Sequence, residues 1–214
     1  MDRIQLKSLA KQQIKGNIGM LFVVALIIAV ISGVATLVLS CIPFIGGLAS
    51  AIIVTPAFAL STTRVYLNLA SGIKKPEAGD AFCGFDDFWS AFKVNFLVGL
   101  FTFLWSLLFV IPGIIKSISY SMAMYILAEN KEKSALECIN ESKEMTEGHK
   151  MELFVLGLSF IGWALLGDVT LGLAYIWVIP YMQTTFTNAY LSLKPAPVVF
   201  EQPAEIPAAE ESEQ

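Results

Sequence analysis

Charged residues are scarce in this sequence. Of its 214 residues only 15% are charged and 56% are hydrophobic, whereas about a quarter of an ordinary soluble domain is charged. No charged residue occurs from Ile18 to Thr63, a run about twice the roughly 20 residues that one helix needs to cross the hydrocarbon core of a bilayer. The composition excludes a soluble globular protein, and it predicts that lipid is the solvent for most of the chain.

Residue types that bind metals or perform catalysis are also rare. His149 is the only histidine, which excludes a His–His metal site, and Cys41, Cys83 and Cys138 lie too far apart for metal-ligand spacing. We expect these cysteines to be reduced thiols that pack as small hydrophobic residues. The sequence has no Walker loop, no Ser-His-Asp set, no His-Glu-x-x-His motif and no paired membrane carboxylates. It therefore predicts no catalytic residue, no cofactor and no metal site, and an enzyme is not expected.

The long charge-free segments predict an all-α, polytopic transmembrane bundle of about six spans, arranged as three hairpins. Proline and glycine near Cys41-Ile42-Pro43 and Ile111-Pro112-Gly113, together with Asp168, mark the predicted turns within these hairpins. The predicted spans, which make up a transmembrane domain over residues 18–193, cover about 18–41, 45–69, 94–111, 112–128, 151–167 and 170–193.

Three flanking segments are amphipathic. Residues 1–17 contain a basic helix whose Arg3, Lys7, Lys11 and Lys15 recur every four residues, so we expect it to lie on an anionic lipid leaflet. An interfacial helix over about 80–93 is predicted from an aromatic face, and a second, over about 134–147, from a capping box. The aromatic face is also compatible with binding a partner protein. It consists of Phe82, Phe85, Phe88, Trp89 and Phe92, and the capping box of Ser134 and Glu137.

The C-terminal segment 194–214 differs from the rest of the chain. After Lys194 it contains four prolines, five glutamates and no basic residue, so it is predicted to be a disordered acidic tail. In the six-span arrangement all but one of the 14 Lys and Arg residues lie on the same side of the membrane, Lys116 being the exception. The positive-inside rule then predicts a cytoplasmic membrane location with both termini in the cytoplasm.

The first and third hairpins share a sequence pattern. Val54-Thr55-Pro56 is followed ten residues after the proline by Tyr66-Leu67-Asn68-Leu69, and Val178-Ile179-Pro180 is followed at the same distance by Tyr190-Leu191-Ser192-Leu193. In the middle hairpin Tyr125 follows Pro112 by three residues more. The pattern suggests three tandem hairpins, with chance similarity as the competing explanation.

Four residues are candidates for a functional role. Lys116 and Asp168 are predicted at the non-cytoplasmic mouth, where they could pair and bind an ion, or could simply snorkel to the interface. Pro56 and Pro180 are predicted inside spans two and six, where they either free carbonyls to line a polar cavity or only bend the helices. A polar cluster beyond these prolines is interpreted as interhelical hydrogen bonding. The cluster consists of Thr62, Thr63, Gln183, Thr184, Thr185, Thr187 and Asn188.

Several short motifs together carry a family resemblance. They are Leu6-Lys7 and Ala10-Lys11 before Gly16-Asn17, then Gly84-Phe85, Ile111-Pro112-Gly113-Ile114, Gly148-His149-Lys150, Gly162-Trp163 and Pro180-Tyr181. In this combination the chain resembles the domain of unknown function 975 family of bacterial integral membrane proteins, over about residues 3–193. The family has two methionines before Gly-His-Lys, whereas this chain has Met145-Thr146. The resemblance implies a polytopic membrane protein and assigns no activity.

The function that these features predict is a non-enzymatic membrane scaffold or accessory protein. The alternative is a small-solute permease or exporter, which the repeated hairpins and proline-containing spans favour, and a third hypothesis is that the cytoplasmic helices sense the state of the membrane. The predicted partners are anionic lipids, through the basic residues of the N-terminal segment, and other proteins. No nucleic-acid partner is predicted, and the oligomeric state is left open.

Overall fold

In the computed structural model of the protein, all the regular secondary structure of the described residues is helical. The described residues are 3–40, 46–170 and 172–194, and their side chains are described except at residues 39–53. The helices are α1 (Arg3–Ile14), α2 (Ile18–Ser40), α3 (Gly46–Ala70), a 3-10 helix (Ala78–Phe82), α4 (Phe88–Leu108), α5 (Val110–Tyr120), α6 (Ala123–Glu129), α7 (Ala135–Thr146), α8 (Lys150–Leu158), α9 (Ile161–Val169) and α10 (Tyr175–Leu193). The all-α prediction is confirmed. The predicted turn at residues 41–43 and the predicted tail after Lys194 lie outside the described residues.

Four helical segments are long and apolar enough to cross a membrane, which indicates a membrane protein. They are Ile18–Val38, Phe88–Leu108, Val110–Glu129 and Lys150–Val169, found among the described residues. The predicted spans two and six correspond to α3 and α10, which are not among these four. The C-terminal half of α10 contains the polar residues Gln183, Thr184, Thr185, Thr187 and Asn188, and these lower its mean hydropathy. The side chains of α3 before Val54 lie outside the described residues, so the apolar segment of α3 is described only in part.

The most buried part of each predicted hairpin lies in its second span. From Pro56 onwards α3 is largely buried, as are α6 and the C-terminal half of α10. The first helices of the hairpins, α2, α4 and α8–α9, leave many large apolar side chains exposed. Side chains such as Val34, Leu107 and Leu165 are stable there only against lipid or another protein. Largely buried helices therefore follow helices whose apolar side chains are exposed in each predicted hairpin.

A break divides the second span of the middle hairpin. Helix α5 ends at Tyr120 and α6 begins at Ala123, and Ser142 of α7 bridges the gap. The Ser142 hydroxyl donates to the carbonyl oxygen of Ser119 at 2.8 Å and accepts from the amide of Met122 at 3.1 Å. Because backbone groups at a break in an apolar environment need partners, α7 is an integral part of the core. Its Cys138, Ile139, Ser142 and Thr146 are fully buried.

The aromatic segment before α4 differs from the predicted interfacial helix over 80–93. Residues 78–82 form the 3-10 helix, residues 83–87 form turns, and α4 begins at Phe88 and continues without interruption to Leu108. Phe82 and Phe85 therefore do not share a helix with Trp89. The chain turns here because Gly84 lies against the backbone of α3, donating its amide to Ser61 Oγ at 2.8 Å.

The turns of the second and third hairpins also differ from the prediction. In the second hairpin only Phe109 separates α4 from α5, and it has an extended backbone with φ −157°. Pro112 lies in the first turn of α5, where the missing amide of proline costs no helical hydrogen bond. In the third hairpin Asp168 lies in the last turn of α9, and α10 begins only at Tyr175.

Two predicted flanking helices agree with the structure in extent. Helix α7 runs from Ala135 to Thr146, and Ser134 and Glu137 form the predicted capping box. Gly148 follows it with φ 80°, a conformation that favours glycine. Helix α1 buries Leu6, Ala10 and Ile14, and it packs against α10. Its apolar face therefore contacts protein.

Candidate functional site

The proline-containing helices α3 and α10 carry equivalent buried tyrosines. Pro56 and Pro180 lie inside these helices, as predicted, and both are buried. Tyr66 and Tyr190 follow them by ten residues and are also buried. Both helices thus bury a proline and, ten residues later, a tyrosine.

Tyr125 of the middle hairpin joins this cluster despite its different spacing. Its ring stacks on that of Tyr190, with the centroids 5.1 Å apart. Three residues more separate Pro112 from Tyr125 than separate Pro56 from Tyr66, and the break between α5 and α6 lies within this stretch. The break accommodates the additional residues, so that all three hairpins contribute a buried tyrosine.

A cavity of about 250 Å³ lies between α2, α3 and α10. Helix α2 contributes Leu21, Val24, Ala25, Ile28 and Ala29, α3 contributes Thr62, Val65 and Tyr66, and α10 contributes Ile179 and Gln183. One wall is therefore aliphatic, and the opposite wall contains uncharged polar groups. Two of the three helices that line this cavity contain the candidate prolines, Pro56 and Pro180. The cavity is therefore the candidate site.

The threonines beyond the prolines bond mainly within their own helices, although Thr187 of α10 also shares a side-chain hydrogen bond with Tyr125 of α6, as the prediction of interhelical bonding requires. The Thr62 hydroxyl donates to the Phe58 carbonyl oxygen at 2.7 Å, four residues earlier in the same helix. Thr63, Thr185 and Thr187 do the same within their own helices, at 2.8, 2.7 and 2.9 Å. Threonine in a helix commonly bonds to the carbonyl four residues earlier.

Asn188 and Thr184 depart from this pattern. The Asn188 amide donates to the Gln13 Oε1 atom of α1 at 2.8 Å. The Thr184 hydroxyl oxygen is buried and has no hydrogen-bond partner in the described part of the chain.

Lys116 and Asp168 each have a different partner, and no ion pair joins them among the described residues. The Lys116 Nζ atom lies 4.8 Å from the centroid of the Trp105 ring, a cation–π contact within the α4–α5 hairpin. The Asp168 carboxylate accepts from the Tyr175 hydroxyl at 2.6 Å. The predicted pairing at the non-cytoplasmic mouth is thus not seen in this structure.

An ionic contact that was not predicted from the sequence joins three segments of the chain. Arg64 of α3 donates through Nη2 to Asp87 Oδ2 at 2.6 Å and through Nη1 to the Cys83 carbonyl oxygen. Lys131, in the loop before α7, lies 3.0 Å from the same Asp87 oxygen. Burial opposes ionisation of Asp87, but the hydrogen bonds and charges of Arg64 and Lys131 outweigh it and hold the pKa of the carboxyl below its usual value. A lone arginine inside a predicted span was the signal that could have identified this contact.

A second ionic contact connects the middle and last hairpins. Glu129, at the end of α6, accepts from the Tyr190 hydroxyl at 2.8 Å, and Lys194 Nζ lies 2.6 Å from the same carboxylate oxygen. One set of these contacts connects α3 to the turn before α4 and the loop before α7, and the other, together with Asn188–Gln13, connects α1, α6 and α10. They lie on the side that the sequence predicts to be cytoplasmic.

Among the described residues, His149, Cys83 and Cys138 show no arrangement that would hold a metal ion. His149 precedes α8, and its Nδ1 atom lies 2.9 Å from Glu152 Oε2. Cys138 is buried, and burial raises the pKa of its thiol to about 11, so the reactive thiolate is suppressed. Within the described residues no group of three or more His, Cys, Asp or Glu side chains could hold a metal ion.

Comparison with known proteins identifies the family. A family model described as protein of unknown function (DUF975) matches residues 1–119 and 107–196, so the chain belongs to this family. No curated protein and no solved structure matches the chain.

Proposed function

We propose that this DUF975 family member is a non-enzymatic scaffold or accessory protein of the cytoplasmic membrane. Its three hairpins supply six spans, with α3 and α10 as the second and sixth, and both termini lie in the cytoplasm. The distribution of basic residues supports this orientation, because Lys116 alone falls on the opposite side. The four apolar helices supply the membrane anchorage.

The observation that carries the proposal is the set of ionic contacts on one side of the bundle. Arg64, Asp87 and Lys131 connect the first hairpin to the second and to the loop before α7. Glu129, Tyr190 and Lys194 connect the second hairpin to the third. Alternating access in a transporter would require contacts of this kind to separate. Contacts that are partly buried and join all three hairpins favour a static protein.

The surface available to a partner is the exposed aromatic face at the start of α4. Trp89 is 61% exposed. Its ring stacks on Phe92 with the centroids 5.4 Å apart, and Phe92 stacks on Phe96 at 5.8 Å. Aromatic residues are enriched at protein interfaces and at membrane–water interfaces. Arg3 and Lys15 of the N-terminal segment are exposed and available to anionic lipid, whereas Lys7 and Lys11 lie over the rings of Phe160 and Tyr181.

Flux measurements test the scaffold role. The purified protein is reconstituted into vesicles, and ion and small-solute flux is compared with that of empty vesicles. We expect no flux above this background. A photo-crosslinking amino acid at Trp89 should then give a discrete product of higher mass in intact cells, whereas the same group at the exposed Val110, at the opposite end of the second hairpin, should not. Flux above background would contradict the proposal.

The alternative function is a small-solute permease, and the cavity between α2, α3 and α10 favours it. Pro56 and Pro180 belong to the helices that contribute its polar wall. Transport through this region predicts that the double variant P56A/P180A abolishes substrate-dependent flux. Pro76→Ala, in the loop after α3, is the matched control and should leave flux unchanged. Flux that persists in the double variant would exclude this mechanism.

A further inference from the structure

Three uncharged polar side chains share one wall of the cavity between α2, α3 and α10. They are Thr62 and Tyr66 of α3 and Gln183 of α10. The facing wall, from α2, is entirely aliphatic, and no charged residue lines the cavity in the described part of the chain. The cavity therefore offers an apolar surface opposite a polar, neutral one.

The polar wall has unused hydrogen-bonding capacity. Among the described residues no hydrogen bond is made by the Gln183 carboxamide or by the Tyr66 hydroxyl. The Thr62 hydroxyl donates to Phe58 and can still accept. The Gln183 side chain is only partly buried, and neither its carboxamide nor the Tyr66 hydroxyl is among the fully buried polar atoms without a partner in the described part of the chain. Both groups line the cavity, so an occupant that donates to and accepts from the carboxamide can pair with groups that no protein atom uses.

The volume limits the size of the occupant. About 250 Å³ corresponds to roughly eight water molecules at about 30 Å³ each. This is slightly below the range of roughly 300–1,000 Å³ that is typical of sites for drug-sized ligands. The cavity therefore suits a small molecule with a compact apolar body.

We infer that this cavity binds a small uncharged amphiphile whose polar end carries both a hydrogen-bond donor and an acceptor, as a primary amide does. Gln183 pairs with the polar end, and Ala25 and Ile28 contact the apolar body. An ion is excluded because no counter-charge in the cavity compensates the loss of its hydration. The inference requires only the cavity and its polar wall, and it does not depend on the scaffold role.

Ligand-observed fluorine NMR tests the inference on the full-length protein in lipid nanodiscs. The probe is 4-fluorobenzamide, and empty nanodiscs of the same lipid give the background. We expect saturable line broadening above background that unlabelled benzamide reverses. Gln183→Leu should weaken binding at least tenfold, because the site was built to pair with the amide. Gln12→Leu removes an exposed glutamine of α1 and should leave binding unchanged.

Two further comparisons keep the result interpretable. Ala25→Leu fills the cavity from its aliphatic wall without touching the polar wall, and it should abolish binding in a protein that still elutes as a single species. The charged analogue 4-fluorobenzoate and the apolar analogue 4-fluorocumene should not give saturable broadening. Absence of saturable binding by the amide would overturn the inference, as would equal binding of 4-fluorocumene or full binding to the Gln183→Leu variant.

Discussion

At the scale of single residues, the contact between Gly84 and α3 leaves no room for a side chain. A Cβ atom at this position would lie 2.1 Å from the Ala57 carbonyl oxygen and 2.7 Å from the Ser61 amide nitrogen. Both neighbours are backbone atoms of a buried helix, so they cannot move aside cheaply. Gly84 therefore fixes the distance between the loop before α4 and the core.

Gly84→Ala should lower the free energy of unfolding by roughly 1–3 kcal/mol, because overpacking forces the backbone to shift. The shift also breaks the hydrogen bond from the Gly84 amide to Ser61 Oγ. Thermal unfolding in detergent, followed by circular dichroism, measures the effect. Gly79→Ala is the control, since a Cβ there has no neighbour within 4 Å. Equal Tm values for Gly84→Ala and the wild type would contradict this close approach.

Asp87 should make the stability of the protein depend on pH in acid. Burial raises the folded-state pKa of this carboxyl, but the hydrogen bonds and charges of Arg64 and Lys131 lower it by more, so that it lies below the usual value of 3.8. The ionised carboxylate therefore stabilises the fold at any pH above about 4, and this contribution is lost as the pH falls through the lower, folded-state pKa. Asp87→Asn should cost roughly 1–3 kcal/mol at pH 7 and progressively less in acid.

Unfolding measured at a series of pH values between 7 and 3 tests this dependence. Glu141→Gln serves as the control, because it removes a surface ion pair with Lys133 in which both side chains are about a third or more exposed. Such a pair contributes less than about 1 kcal/mol. If the Asp87→Asn difference were the same at pH 7 and pH 3, the ionised carboxylate would not be the stabilising species.

At the scale of helical elements, Ser142 is the residue on which the broken middle helix depends. Ser142→Ala leaves the Ser119 carbonyl with only a weak bond from Thr146, at 3.4 Å, and the Met122 amide without its partner. We expect a loss of roughly 1–3 kcal/mol, the cost of unpaired buried polar groups. Ser121→Ala removes an exposed hydroxyl at the same break and should change stability by less than about 0.5 kcal/mol. Comparable losses in the two variants would show that the break does not need this bridge.

Features that depend on neighbours in sequence could be predicted, and those that depend on distant partners could not. The capping box of α7 was predictable because Ser134 and Glu137 are three residues apart. The positions of Pro56 and Pro180 within helices could be predicted because each proline lies inside a long apolar segment. By contrast, Arg64 and Asp87 are separated by 23 residues and Met122 and Ser142 by 20, so only the tertiary structure pairs them. The cavity was missed for the same reason, since Gln183 and Thr62 lie on different helices.

At the scale of the whole molecule, the proposed six-span orientation gives a prediction for accessibility. In a variant lacking Cys41, Cys83 and Cys138, a cysteine at Ile111 should react with a membrane-impermeant maleimide applied to intact cells. A cysteine at Lys131 should react only after the cells are opened. Ile111 and Lys131 lie at opposite ends of the middle hairpin's second span. Labelling of position 131 in intact cells would reverse the orientation or change the number of spans.

Helix α1 packs against α10, the last helix of the described residues, so this contact can form only when synthesis of the chain is nearly complete. The hydrogen bond between Gln13 and Asn188 joins residues 175 positions apart, so α1 leaves the ribosome long before α10 exists. At roughly 5–20 residues per second the interval is about 9–35 s. Helix α3 is made earlier and also contacts α1, where the Ala70 carbonyl oxygen accepts from the Gln13 amide. The more extensive packing of α1 on α10, however, cannot form until the chain is nearly complete. We expect the apolar face of the nascent α1 to rest on the bilayer surface in the interval and to exchange lipid for α10 late in assembly.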